Sequence, residues 1–482
     1  MKKLISMTLV ALLVVFAMTG CKKNYTVTVK SNNNAWGSVT GSGSYKDGET
    51  VTISAIPADG YYFNCWNDGN TENPRKIVVS GNAEYIATFS DVPGGGGSTE
   101  NALEVSGSIS SNTTWPDRGA GVDYIIDGCF YVEGNALLTI EPGVTIMFTG
   151  VDGAIFVERN AGLRMVGTVD NPITLTGPAN NQNPGAWRGV EVTSNRNDNQ
   201  FEYVYFVNGG YGGEVLYLGG KLSMKNCTIF NSEANGVSFD EEGLFTAFTN
   251  NTIKNCGGYP VVLYDHFKVN CLGSGNTYVN NNHNMILINA YWVDRENETV
   301  TYANQGIPYY LSDGMRVSST ATMKVNAGVE FVVNYDKEVG VDDDALIQVD
   351  GTVSQPVVFR GLNNENGFWA GLDIESERQT NGGSYLNYCN ILNAGNDYDD
   401  AALDTDEDTR LSLNNVSISG SIGYGMKITI PLDWDTEQYD FSNYHVTASG
   451  LSFANCVNGN IYETNKNMVF SSWPGNKHLA RK

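Results

Sequence analysis

Apolar and polar residues alternate in short runs along almost the whole chain. Between 25 and 90 the runs are YTVTVKS, TVTISAI, KIVVSG and EYIATFS, separated by clusters of Gly, Asn, Asp and Pro. A period of two, broken by turn residues, predicts a small all-β unit over residues 22–90. The stretch DVPGGGGS, Asp91 to Ser98, reads as a flexible linker, 91–99. From 100 onward, strand-like runs follow one another, each ended by Gly, Asn or Asp, with few helix signals. Glycine supplies 54 of 482 residues, about 11% against a usual ~7%. An antiparallel sandwich and a parallel solenoid both produce such spacing, so periodicity alone does not choose between them.

Repetition does. YIIDGCFYV (124–132) recurs as YLSDGMRVS (310–318), LTIEPGV (138–144) as MKVNAGV (323–329), and GTVDNPITL (167–175) as GTVSQPVVF (351–359). WRGVEV (187–192) recurs as WAGLDI (369–374), EYVYFVNGG (202–210) as NYCNILNAG (387–395), and KLSMKNCTI (221–229) as RLSLNNVSI (410–418). Six blocks in one order at near-constant spacing predict a tandem duplication, copy one over 100–298 and copy two over 299–482.

The first unit, with Gly37, Gly41, Tyr45, Gly48, Gly60, Tyr61, Phe63, Trp66, Asn73, Pro74 and Phe89 in order, resembles the divergent B-repeat family of bacterial surface proteins first known from internalins. That resemblance implies a β-grasp-like spacer or adhesive module without chemistry; Trp66 and Phe63 read as core residues in preference to a ligand platform. The phrases LTIEPGVTIMF, GLRMVGTVDNPITLTG and WRGVEV resemble coils of right-handed parallel β-helix proteins of bacterial surfaces. The Asn-Cys pairs at 226/227, 255/256, 270/271 and 455/456 fit a solenoid, the Asn laddering its amide at a turn and the Cys packing inside. The expected fold is therefore all-β, a B-repeat module followed by a duplicated parallel β-helix.

The N-terminus places Lys2-Lys3 before an uncharged, mostly apolar stretch from Leu4 to Gly20 and then Cys21, the pattern of a secretory signal. AMTGC resembles a bacterial lipoprotein cleavage box, which implies that residues 1–21 end in a lipidated Cys21 and that the protein is held at the outer membrane through that lipid alone. No later segment has the ~18 apolar residues needed to span a bilayer. Basic residues number 29 against 53 acidic ones, a net charge of -24, which disfavours a nucleic-acid partner because phosphates need Lys and Arg. Seven further cysteines without a CxxC read as packing residues, neither a zinc ribbon nor a complete disulfide framework.

Chemistry has three candidate places. DYDDAALDTDEDTR (397–410) lies where copy one has GYGGEVLYLGGKL with a shorter interval, so its acids are dispensable for the fold. They are either a solvated loop or, through Asp404, Asp406 and Asp408 in a D-x-D-x-D pattern, a calcium-ordered one, although the following Gly and distant Glu of an EF-hand are missing. VDDDA (341–345) is a second acidic turn. LYDHFKVN (263–270) gathers Tyr264, His266 and Lys268, which strand alternation would put on one face as an acid/base cluster; polar positions on an outer face predict the same residues. Trp292, Trp434 and Tyr439 stand among acids in expected loops, where rings stack on sugars, although Trp434 could equally cap the coil stack. The expectation is a non-catalytic, surface-exposed adhesin whose partner is a polysaccharide, or a glycan or protein on a host or neighbouring cell. The alternative is a polysaccharide lyase or glycoside hydrolase on the same scaffold.

Overall fold

A computed structural model describes residues 23–474 except Gly60, Gly69, Thr71, 91–98, Ala120, Tyr398 and Asp399. The signal segment with Cys21 and nearly all of the linker thus lie outside the described residues. The chain divides into two compact units at residue 91.

The first unit packs two small sheets. One has the order Gly43–Lys46, Asn24–Ser31, Ala83–Ser90, Tyr62–Trp66, with its first and last chain segments paired in parallel; the other joins Gly37–Thr40, Thr50–Pro57 and Arg75–Val78. Alternation decides which side chains enter: Val51, Ile53 and Ala55 are buried while their neighbours face outward. Trp66 is fully buried, its indole donating to the Glu72 carbonyl at 3.0 Å, and Phe63 packs on it with ring centroids 5.2 Å apart. The Asn73 amide brackets Ala55, accepting from its N–H and donating to its carbonyl. Among the described residues the unit contains no helix, so the β-grasp likeness rests on its strands alone.

The second unit is a parallel β-helix with three strands per turn. One face runs unbroken through both copies. From Gly189–Val192 it passes through Glu214–Leu218, Asn235–Phe239, Val261–Leu263, Ile286–Ile288, Tyr309–Leu311 and Glu330–Val333 to Val357–Gly361. A second series of strands belongs to copy one, Thr113–Trp115 to Leu244–Thr249, and an eight-stranded sheet, Trp292–Val293 to Met468–Phe470, belongs to copy two except for its first strand. The interior is a single column of aliphatic and aromatic side chains, since inward positions of stacked strands have no other partner.

The repeated blocks occupy equivalent strands, but the repeat is not a whole number of turns. WRGVEV lies on the continuous face in Gly189–Val192, whereas WAGLDI, in Gly371–Ile374, is the strand after Val357–Gly361 and so lies one face further round, in the eight-stranded sheet. Seven turns and one strand separate the copies. Surfaces that correspond in sequence therefore do not line up along one side.

Backbone turns are set by asparagine, though not as the Asn-Cys pairs suggested. Asn226, Asn255 and Asn455 take positive φ, which Asn tolerates better than most residues. The laddering amides come from other asparagines, one coil further on. Asn251 accepts from the Cys227 N–H at 3.0 Å and donates to the Met224 carbonyl, and Asn281 does the same for Cys256 and Ile253. Cys227, Cys256 and Cys389 are buried, Cys65, Cys129, Cys271 and Cys456 half-buried, and all seven are free thiols.

Candidate functional site

Outward-facing residues of the continuous face in copy one form a row, Tyr131, Phe156, Glu191, Tyr217 and Ser238, one from each successive strand. Tyr131 and Phe156 stack with centroids 5.1 Å apart, and the Arg188 guanidinium lies over the other side of this pair, 5.2 Å from the Phe156 centroid. Tyr217 donates to Asp240 at 2.5 Å, which holds its ring toward the next coil and pushes its phenol pKa well up. A hollow remains between these walls. Its floor is Gly189, Val190 and Glu191, and its rim is Tyr211, Gly212, Gly213 and Glu214. Gly189 is required there: φ is +157°, and a Cβ would lie 2.5 Å from the Val215 carbonyl oxygen.

The hollow's electrostatics are uneven. Burial raises the Glu214 carboxyl above its usual range, against the opposing pull of the Ser238 hydroxyl and the Arg188 charge. Arg188 is exposed and, among the described residues, forms no ion pair. Tyr211 is 42% exposed at the rim. The hollow thus presents aromatic walls, a guanidinium and two carboxylates on a rigid sheet.

The corresponding row of copy two is built differently. Trp292, Arg316, Gly340, Asp373, Asp404, Lys427 and Tyr462 follow one another across the eight-stranded sheet. Arg316 reaches across Gly340, where a Cβ would stand 2.5 Å from its guanidinium. It pairs with Asp342 (2.6 Å), Asp373 (3.0 Å), Glu375 (3.2 Å) and Glu338 (3.3 Å). Lys427 pairs with Asp404 at 3.2 Å. Burial pushes the Asp404 carboxyl up to about 6, opposed by Lys427 and assisted by Asp373 and Asp400. Burial also raises Asp373, Glu375 and Asp400.

The acidic stretch is accordingly not one turn. Its middle is a strand, Ala401–Asp404, because Leu403 must fill the interior, and this puts Asp404 in the ionic row. Asp406 folds back onto its own turn, accepting from the Thr409 hydroxyl at 2.7 Å and from the Asp408 and Thr409 N–H groups, while Asp408 is exposed. The three aspartates do not converge, and among the described residues no group of three or more acidic, His or Cys side chains is arranged to hold a metal ion.

The proposed acid/base trio is also separated. The chain from His266 to Cys271 is a 3-10 helix, not a strand, with Asp265 as its N-cap accepting from the Phe267 N–H. His266 is fully buried, its Nδ1 sharing a hydrogen with the Tyr302 hydroxyl at 2.6 Å and its Nε2 beside the Ala290 carbonyl at 3.0 Å; burial pushes its pKa down to about 4. Lys268 is buried and donates to the Glu241 carbonyl at 2.6 Å. Arg295 pairs with Asp265 and lies over the Phe267 ring. This is a structural joint between the copies. Only Tyr264 stays exposed, near enough to Glu214 for the carboxylate to add to the burial that raises its phenol pKa.

Trp292 is 55% exposed at the head of the ionic row, and Trp434 is 75% exposed in a two-stranded hairpin, Leu432–Asp433 with Gln438–Tyr439. Trp434 therefore does not cap the coil stack; Phe441, Tyr444 and Trp473 pack against its end instead. Tyr439 donates to Glu463 at 3.0 Å. The hollow's own residues, Phe156, Arg188, Glu191, Glu214 and Tyr217, went unnoticed in the sequence. A signal was present in the positions at which WRGVEV and WAGLDI differ.

The divergent InlB B-repeat domain family matches residues 25–93, and the pectate-lyase-like beta helix domain family matches residues 107–216. No curated protein and no solved structure shows significant similarity to the chain. The two modules, a B-repeat followed by a β-helix of this type, indicate a surface or polysaccharide-related protein.

Proposed function

We propose that the protein is a lipid-anchored adhesin of the outer membrane, facing outward, whose β-helix binds a glycan without cleaving it. One observation carries this reading: the hollow on the continuous face, with Phe156 and Tyr217 as walls and Arg188, Glu191 and Glu214 as polar groups. Aromatic walls with a few convergent polar groups suit a sugar ring, and a sheet holds them in place at no ordering cost. Trp292, Trp434 and Tyr439 lie on other surfaces and serve as further contacts for an extended chain or partner surface.

The rival reading is a lyase or hydrolase. Of the acid/base trio only Tyr264 stays available to it, since His266 and Lys268 are committed to the joint. Calcium at 397–410 would require Lys427 to release Asp404 and the loop to rearrange. A polysaccharide-binding screen on the purified protein, with and without chelator and with product release followed in the same wells, tests all three. Binding without product supports the adhesin, and its loss on chelation adds calcium. Release of reducing or unsaturated ends overturns it. Mass spectrometry of the N-terminal peptide checks the lipid on Cys21, and protease shaving of intact cells checks the outward orientation.

A further inference from the structure

The charges in the hollow restrict which sugar can enter it. Phe156 and Tyr217 stand two strands apart in one row, about 9–10 Å at normal strand spacing, with Glu191 between them. One saccharide ring fits such a gap. Glu214 is half-buried on the wall of the hollow with no cation among the described residues in ion-pair contact, and a ligand ammonium would supply one. Arg188, held against Phe156, is placed to donate to ring and hydroxyl oxygens. A uronate carboxylate would instead meet two carboxylates and one arginine. Copy two gives an anionic chain no better place, because Arg316 and Lys427 are already paired among six carboxylates.

We infer that the copy-one hollow takes a hexosamine ring with a free ammonium group, so that the glycan is cationic or partly cationic and not a polyuronate. This rests on the glycan-binding reading above. The ammonium donates to Glu191 and Glu214, the ring lies over Glu191 with Tyr217 on one side and the Phe156-backed Arg188 guanidinium on the other, and its hydroxyls accept from Arg188.

Calorimetry on the purified protein at physiological ionic strength, with hexamers of glucosamine, N-acetylglucosamine and galacturonic acid, tests it. The glucosamine hexamer should bind at least ten-fold more tightly than the other two. Its affinity should fall at least ten-fold in Glu214→Gln and in Glu191→Gln, and stay unchanged in Glu365→Gln, the same charge change on an exposed copy-two loop. The two hollow variants are independent, so misfolding of one, seen as a lowered Tm, leaves the other to decide. Equal losses in Glu365→Gln would mean general attraction to an acidic protein and overturn the site. Tighter binding of the acetylated or galacturonate hexamer would overturn the sugar class and leave the adhesin reading standing. Failure of these hexamers and of every polysaccharide in the screen would sink both.

Discussion

Copies one and two share an interior and differ on the outside. Trp187 and Trp369 are both fully buried and donate to the carbonyls of Val207 and Leu392, at 2.8 and 2.9 Å. Ser194 and Ser376 are both buried and donate to the carbonyls of Ala161 and Ala345. On the outer row, Tyr131, Phe156, Glu191, Tyr217 and Ser238 stand against Arg316, Gly340, Asp373, Asp404 and Lys427. Inward positions are constrained by volume and by buried hydrogen-bond groups, where one methylene is felt. Outward positions of a solenoid contact only their neighbours in the row. One row has kept an opening, while the other has closed on itself through salt bridges.

Truncating the shared tryptophans is the strongest challenge to this equivalence. Trp187→Ala and Trp369→Ala should each cost about 3–5 kcal/mol. The copy-one variant should cost about 1 kcal/mol more, because Trp187 also stacks face to face on Phe148, 4.3 Å between centroids, where copy two has Val333. Hydrogen exchange should confine each loss mainly to the coils around the substitution. Equal losses, or a loss spread evenly over both copies, would show that the two interiors are not independent packings of one plan.

The joint is the next most sensitive place. His266 is held neutral with a pKa of about 4 against an unfolded value near 6.5. Between these values the unfolded chain binds the proton and the folded one does not, so stability is lost as pH falls from about 6.5 toward 4, by up to about 3 kcal/mol. Amides from Phe267 to Leu272, corrected for intrinsic exchange, should lose protection over that window. Protection that stays flat would mean that the ring is charged or solvated.

The solenoid was legible because its signal is repeated. Six blocks in register report a duplication that no single strand does, and the four-residue excess at 397–410 and the insertion around 431–440 both mark real departures from copy one. The acid/base cluster is not legible in the same way, because HFKVN carries the alternation of a strand, yet Asp265 caps a 3-10 turn that buries His266 and Lys268. Nothing in the spacing distinguishes those outcomes; packing against Tyr302 and Glu241 does. The hollow was hidden for a different reason: its residues come from strands at 154–157, 189–192 and 214–218 and meet only through stacking. The displacement by one face could not be seen either, since it depends on how many strands fill a turn.

The smallest expected effect separates the ionic row from the joint by sign. Asp404 has a folded pKa of about 6 against an unfolded value of about 3.9. For an acid raised in this way the folded state binds the extra proton between those values, so the penalty is present above about pH 6 and is relieved as pH falls toward 4. This is opposite to His266 over nearly the same range. Asp404→Asn removes this penalty, in which the offset from the Lys427 pair is already contained, and should stabilise the protein by about 2 kcal/mol at pH 7. At pH 4 the variant and the parent should be equal. Urea denaturation of both at the two pH values measures the difference. A variant less stable at pH 7 would mean that the Lys427 pair outweighs the burial of Asp404. The ionic row would then hold copy two together, whereas a gain would mark the row as a surface kept at some cost to stability.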